Sequence, residues 1–443
     1  MMHSSQTIIK KAVCCRLLTT VLLCGLSFVM AYAETVSSAS LGQVPRLAEI
    51  ADYPCLHTDG GRDSLRFPGS HARFLPFYSR LDTLLNEQRG QVRILHIGGS
   101  HVQAGYFSHR VRTDMDSLGG FQVGDRGLLF PFRAIRTNAP VNYRFRFQGE
   151  WQGARCVKCD STASLGLSGA LAVTYDTLAT LTLNTDDIRR WSPDHLRLLG
   201  EASAPDVTPL LVCAGDTLTP LPSDGTPGYL FDLPLSDSIC TVAFRGLGHD
   251  SVSFTVRGLL PYADRDGLTY TESGINGAAV PSWLRCTRFQ EELSLVQPDL
   301  VVLGIGINDA NVLPRDFNPE IFKENYRMLL RQILSVSPHC CFLFITNNDC
   351  WFNVRGKRRQ FNTNTAKVQQ AMVELATEYD AAVFDVFALM GGIGSSSAWV
   401  RHGLQKRDHI HFTQVGYELC GDLLYNALVR DYLSTRQQQE EKP

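Results

Sequence analysis

The sequence predicts an α/β protein: a doubly wound parallel sheet with an all-β sandwich or jelly-roll domain inserted into it. Strand and helix patterns alternate near the start and again in the last third of the chain. Such βα repetition implies a parallel sheet covered by helices. Between the two stretches run short alternating segments divided by Gly, Pro, Asp and Ser, with no long helical pattern, as in a sandwich. The first sheet strand therefore stands apart from the others, and the α/β domain is split.

Residues 34–70 are rich in Ser, Gly and Pro and read as an irregular lead-in. Residues 72–89 place Leu75, Tyr78, Leu81 and Leu85 at helical spacing, with Pro76 near the start where a helix tolerates it. Residues 92–97, VRILHI, form the first strand. The segments ALAVTY, ATLTLN, HLRLLG, PLLVC, YLFDL and CTVAF then mark strands of an insert spanning 136–265. From 266 the α/β pattern returns. DLVVLGIG at 299–306 is the continuous apolar run of a strand covered on both faces. A helix over 319–335, a strand over 340–346, a helix over 363–379, a strand over 381–386 and a helix over 413–433 follow. The α/β portion thus comprises 34–135, including the lead-in, and 266–436, and the tail 437–443 reads as disordered.

The chain has 443 residues, enough for two or three domains, with 44% hydrophobic and 19% charged residues. That is an ordinary globular balance. A formal net charge of -2 gives no reason to expect nucleic acid as a partner. At the N-terminus Lys10, Lys11 and Arg16 precede an apolar run over 17–30, and Ala31, Tyr32 and Ala33 fit a small-residue cleavage site. This predicts a signal peptide over 1–33 and an exported protein with no membrane span after cleavage. An uncleaved anchor is the alternative. Cys24 follows the bulky Leu23, which argues against a lipoprotein. Ten of the 13 cysteines lie beyond the leader. CVKC at 156–159 has no second CxxC, so a local disulfide or two thiols are favoured over a metal site. The CC at 340–341 reads as core packing. RGKRRQ at 355–360 reads as a solvated basic face.

In open parallel sheets ligands bind beyond the carboxyl ends of the strands. At those positions stand Gly98-Gly99-Ser100-His101, then Asn276 and Gly277 in GINGA, then Asn308 and Asp309 in GIGIND, and Asp408, His409 and His411 before the last helix. Nucleophilic hydrolysis needs a hydroxyl, a base, a group that orients the base, and donors for the oxyanion. Ser100 supplies the hydroxyl, His411 the base and Asp408 the orienting carboxylate. The N–H groups of Ser100 and Gly277 and the Asn308 amide are the candidate oxyanion donors. Taken singly, each block has a plainer reading: a turn, a helix cap, a loop pair, or a His409-x-His411 metal half-site. Their joint occurrence, in order and at strand ends, favours catalysis. Gly99, His101 and Asn276 are candidate lining residues, and Asp309 reads as a partner for nearby backbone. Trp151, Trp191 and Trp283 read as buried aromatics before sugar platforms.

These blocks make the chain resemble the SGNH, or GDSL-type, hydrolases, through IGGSH, GINGA, GIGIND and DHIHF. The longer strings GGSHVQAGYFS and HFTQVGYELCGDLLYNAL look most like a branch that includes secreted peptidoglycan O-acetylesterases. That branch carries GDSH at the nucleophile and a carbohydrate-module-like insert. The resemblance covers roughly 70–135 and 266–436. It implies a flavodoxin-like sheet, the triad Ser100, Asp408 and His411, the oxyanion hole of Ser100, Gly277 and Asn308, and no metal or organic cofactor. One position departs from the pattern: Gly99 stands where the family has Asp. The expected function is an exported serine esterase acting on an O-acetylated glycan, with peptidoglycan the first substrate considered. The alternatives are a lipase or thioesterase of the same fold, or a glycan-binding protein with a degenerate site.

Overall fold

A computed structural model of the protein describes residues 45–118, 123–159, 163–235, 238–248, 251–352 and 360–441. The predicted leader, and most of the basic segment 355–360, lie outside them. The described residues from 46 onward form one compact unit.

Helix α1 (Leu75–Glu87) carries Pro76 in its first turn and buries Phe77, Tyr78, Leu81, Leu84 and Leu85. Strand β1 (Gln91–Gly98) follows, then the short α2 (Ser100–Gln103) and α3 (Tyr106–Met115).

The insert is a sandwich of ten strands: β2 (Phe145–Gln148), β3 (Gln152–Arg155), β4 (Ala170–Thr174), β5 (Thr180–Asn184), β6 (His195–Ala202), β7 (Thr208–Cys213), β8 (Asp216–Leu218), β9 (Tyr229–Asp232), β10 (Ile239–Arg245) and β11 (Phe254–Tyr262). They form two antiparallel sheets, ordered β2-β5-β10-β7-β8 and β3-β4-β11-β6-β9, between which the chain crosses repeatedly. Leu181, Leu183, Leu211, Val242, Leu196, Leu198 and Val256 fill the core. Along β7 and β10 buried and less buried positions alternate, the pattern of strands with one face inward. The short β3 and β8 carry no apolar alternation, which is why the sequence did not announce them.

Strand β12 (Gly267–Gly274) returns the chain to the parallel sheet. Then come α4 (Val280–Trp283), α5 (Phe289–Val296), β13 (Leu300–Gly304), α6 (Pro319–Val336), β14 (Cys341–Ile345), the two-residue hairpin strands β15 (Trp351–Phe352) and β16 (Gln360–Phe361), α7 (Asn364–Glu378), β17 (Ala382–Phe384), α8 (Val386–Met390), α9 (Ser396–Arg401) and α10 (Gln414–Glu440). The parallel sheet is ordered β12-β1-β13-β14-β17. In order of appearance its strands lie 2-1-3-4-5, the flavodoxin-like arrangement.

Period-two alternation assigns each sheet residue to a face. Val92, Ile94, Leu300, Val302, Cys341 and Leu343 pack with α1, α3 and α10. Leu95, Ile97, Val301, Leu303, Phe342 and Phe344 face α5, α6 and α7 in a core continuous with that of the sandwich. Leu129, ahead of the insert, exchanges two backbone hydrogen bonds with Leu259 of β11, at 2.8 and 2.9 Å. Glu292 of α5 reaches into the insert, accepting from Arg257 Nε at 2.6 Å and from the Leu167 N–H at 2.8 Å. At α6, Pro319 occupies the first turn and the Asn318 side chain accepts from the Glu320 N–H at 2.9 Å, a cap and a start signal together.

One boundary differs from expectation. Residues from 437 were read as a disordered tail, yet α10 continues to Glu440. Gln and Glu propagate a helix readily, and the Arg436–Glu440 ion pair at 3.0 Å spans one turn.

Candidate active site

Three parallel strands end level with one another. Gly98 of β1 lies in register with Gly274 of β12 on one side and Gly304 of β13 on the other. The loops that leave them meet at one point beyond the sheet. Close approach requires glycine here: a Cβ on Gly98 would come within 2.2 Å of Val102 Cγ2, and one on Gly274 within 2.4 Å of the Gln103 N atom. The chain turns at Gly99, and Ser100 becomes the first residue of α2.

His411 arrives from the loop before α10. Its Nε2 lies 2.9 Å from Ser100 Oγ, and its Nδ1 lies 2.8 Å from Asp408 Oδ2. The other Asp408 oxygen accepts the N–H groups of Ile410 and His411, both at 2.9 Å. The carboxylate thus fixes the loop and the ring together. Partial burial alone would raise the Asp408 carboxyl, but the bonds from the His411 ring and the two N–H groups outweigh it and hold the group well below the usual carboxylate range. A carboxylate facing Nδ1 keeps the proton there and leaves Nε2 to accept from the Ser100 hydroxyl.

The oxyanion candidates sit on loops laced to β1 and to the helix that begins at Ser100. The Ile275 N–H donates to Gly98 O at 3.2 Å, and the Asn276 N–H donates to Gln103 Oε1 at 2.6 Å. Gly277, exposed and with φ +82, follows in a left-handed conformation that favours glycine. Asn308 Nδ2 donates to Ala278 O at 2.9 Å, which consumes one of its two protons. Asp309 accepts the Val280 N–H at 3.1 Å, the backbone role expected of it. Gly99 stands among these groups: a Cβ there would lie 3.3 Å from Asn308 Nδ2.

His101 is held by Tyr417 of α10. Its Nδ1 bonds Tyr417 Oη at 3.0 Å and its ring packs 5.6 Å from that of His411. Burial, with smaller contributions from His411 and Lys406, brings its pKa down to about 3, so the ring is neutral. His409 is stacked on Trp351 at 3.9 Å and bonded through Nδ1 to Ser396 Oγ at 2.8 Å. The two rings of the His409-x-His411 pair thus have separate partners, His409 with Trp351 and Ser396 and His411 with Ser100 and Asp408. Trp151, Trp191 and Trp283 are all buried. Sequence reasoning missed Gln103, Tyr417 and Trp351. Nothing in a lone Gln on a helix, or a Tyr in an apolar one, announces a contact with a loop far along the chain.

Residues 237–419 match the model of the GDSL-like lipase/acylhydrolase family. No curated protein matches the chain. Among solved structures, a peptidoglycan O-acetylesterase is similar over 84% of this chain and 99% of its own, at 22% identity and a TM-score of 0.66. An acetyl xylan esterase matches over 37% of this chain and 82% of its own, at 18% identity and a TM-score of 0.30. A lipase/acylhydrolase from Enterococcus faecalis matches over 37% of this chain and 77% of its own, at 24% identity and a TM-score of 0.29. The family match thus covers residues 237–419, and with the O-acetylesterase the chain shares the fold of a parallel sheet joined to antiparallel sheets.

Proposed function

We propose that the protein is an exported serine esterase that removes O-acetyl groups from a polysaccharide, with peptidoglycan as the first candidate. The observation that carries this reading is the continuous line Asp408–His411–Ser100, with contacts of 2.8 and 2.9 Å. Ser100 Oγ attacks the acetyl carbonyl while His411 Nε2 takes its proton. The oxyanion rests against the N–H groups of Ser100 and Gly277 and the second amide proton of Asn308. His411 then protonates the departing sugar hydroxyl. Water, activated by the same imidazole, hydrolyses the acetyl-enzyme. Every step uses side chains and backbone of this chain. The sandwich, joined to the hydrolase core, holds the glycan near the site.

The substrate class is supported by the peptidoglycan O-acetylesterase whose fold spans nearly its whole length on this chain. Export is supported by the basic, apolar and small-residue pattern of the first 33 residues. Among the described residues no helix is long and apolar enough to cross a membrane.

The test is hydrolysis of p-nitrophenyl acetate and of O-acetylated peptidoglycan by the full chain beside Ser100→Ala. Activity on both that disappears in the variant is expected. Activity on the small ester alone overturns the glycan assignment. Equal rates for the two proteins overturn the serine mechanism.

A further inference from the structure

Export, as proposed above, would bring the cysteines of the mature chain into an oxidising compartment. All ten described cysteines are thiols here. Four of them stand in two facing pairs, each buried and each made of residues far apart in sequence.

Cys213 of β7 lies directly opposite Cys240 of β10. Facing residues in an antiparallel pair have Cα atoms roughly 4.5–5.5 Å apart, inside the span a disulfide bridges. Both are buried in the core of the sandwich, and the neighbouring Cys213 thiol, with burial, holds the Cys240 thiol above its usual range. Cys156, just after β3, lies beside Cys286 in the turn between α4 and α5: both are buried in the same core, the neighbouring Arg285 holds the Cys156 carbonyl, and burial with the nearby Cys156 thiol raises the Cys286 thiol. Neighbouring contacts fix that approach. The Cys156 N–H donates to Gly169 O at 2.8 Å, and Arg285 Nη1 donates to the carbonyls of Cys156 and Val157 at 2.9 and 3.1 Å. Cys340, just before β14, and Cys341, its first residue, by contrast pack into cores on opposite sides of the sheet.

We propose that Cys156–Cys286 and Cys213–Cys240 close as disulfides in the exported protein. In each pair two S–H bonds break and one S–S bond forms. Two electrons and two protons pass to the disulfide of a thiol–disulfide oxidoreductase, which leaves as the dithiol. The exchange takes place during folding, before the core seals.

The two bridges differ in purpose. Cys213–Cys240 joins neighbouring strands within the sandwich. Cys156–Cys286 ties the insert to the hydrolase part and closes a loop as long as the insert itself. It also reaches the site: a Cβ on Gly277 would lie 3.7 Å from Val157 Cγ1, so the residue after Cys156 backs the oxyanion loop. The CVKC spacing, read alone, suggests Cys156–Cys159, whereas the fold gives Cys156 a partner from the other side of the insert boundary.

The full-length chain is expressed with its leader, recovered from the exported fraction, alkylated under denaturing conditions without reductant, and mapped by mass spectrometry. A second sample, from cytosolic expression, is refolded with oxidised and reduced glutathione and mapped likewise. Cross-linked peptides containing 156 with 286 and 213 with 240 are expected, with the other described cysteines alkylated. Reductant should remove both cross-links and lower Tm by several degrees. Cys286→Ser should lose only the first cross-link, and Cys240→Ser only the second. Alkylation of all four cysteines in both samples, or a Cys156–Cys159 bridge, overturns the proposal. If no protein is exported, the leader reading fails separately, and the glutathione sample still decides the pairing.

Discussion

Gln103 Oε1 accepts the Asn276 N–H at 2.6 Å while its Nε2 donates to Asn138 O, also at 2.6 Å. One buried amide therefore joins the nucleophile helix to the GINGA loop and to the segment that leads into the insert. Gln103→Leu leaves both backbone groups without this partner. The Asn276–Gly277 peptide would then lose its support. We expect kcat on p-nitrophenyl acetate to fall roughly 10-fold or more with little change in KM. Gln103→Glu keeps the acceptor and should recover part of the loss. Equal kcat in wild type and Gln103→Leu would remove Gln103 from any positioning role.

Asn308 spends one amide proton on Ala278 O and offers the other to the proposed oxyanion. Asn308→Ala should lower kcat by about 10²–10³, the effect of deleting one such donor. Asp408→Asn acts differently. An amide in that place can face Nδ1 with an N–H, which forces the proton onto Nε2 and blocks acceptance from Ser100. A fall of about 10²–10⁴ in kcat with unaltered folding is expected. Steady-state kinetics with circular dichroism checks both variants, and a drop below 3-fold in either would contradict the assigned role.

What was legible in the sequence had local causes. The continuous apolar run at 299–306 and the alternation in the insert reveal burial on two faces or one, because side-chain direction repeats every two residues. Three of the four blocks were legible because each sits where a strand of the parallel sheet ends, and the fourth because it closes on the start of the last helix. Contacts between distant segments left no such trace. Glu272, in the middle of the TES triplet of β12, accepts from Asn142 Nδ2 at 2.8 Å and pairs with Arg112 at 3.3 Å and Arg126 at 3.6 Å. Burial would raise its carboxyl, yet the two guanidinium groups bring it down to about 2. No periodicity signals that three charged side chains from three segments meet in the interior. The same holds for Trp351 against His409, and for Cys156 against Cys286.

Asp309 offers a pH-dependent test of the loop lacing. Burial pushes its carboxyl up to about 7, against the hydrogen bond from the Val280 N–H. The folded state therefore binds the proton more tightly than the unfolded chain. Asp309 contributes most below about pH 4, and that contribution is lost as pH rises through about 7. Asp408, held low, has the opposite sign and loses its contribution only in acid. Asp309→Asn keeps an oxygen for Val280 and cannot ionise. Its Tm relative to wild type should rise between about pH 4 and pH 7 and level off above. A wild-type-minus-variant difference independent of pH over that range would show that Asp309 titrates normally.

The last prediction concerns the joint between insert and hydrolase. Glu292 is fully buried on α5, with Arg257 of β11 on one oxygen and the Leu167 N–H on the other. A Cβ on Gly166 would stand 1.9 Å from Glu292 Oε2, so the insert backbone closes directly over the carboxylate. Removing Glu292 leaves the buried Arg257 with only the half-exposed Glu201, 3.3 Å away, a loss of up to about 3–5 kcal/mol. Glu292→Leu should lower Tm by several degrees. Because the pair lies at the seam and not at Ser100, kcat on a small ester at low temperature should stay within about 2-fold of wild type. Glu292→Leu with Arg257→Met exchanges both charges for apolar volume and should restore most of the stability. If the double variant is as unstable as the single, the seam depends on the Leu167 contact and not on the ion pair. Thermal unfolding of the three proteins distinguishes the two.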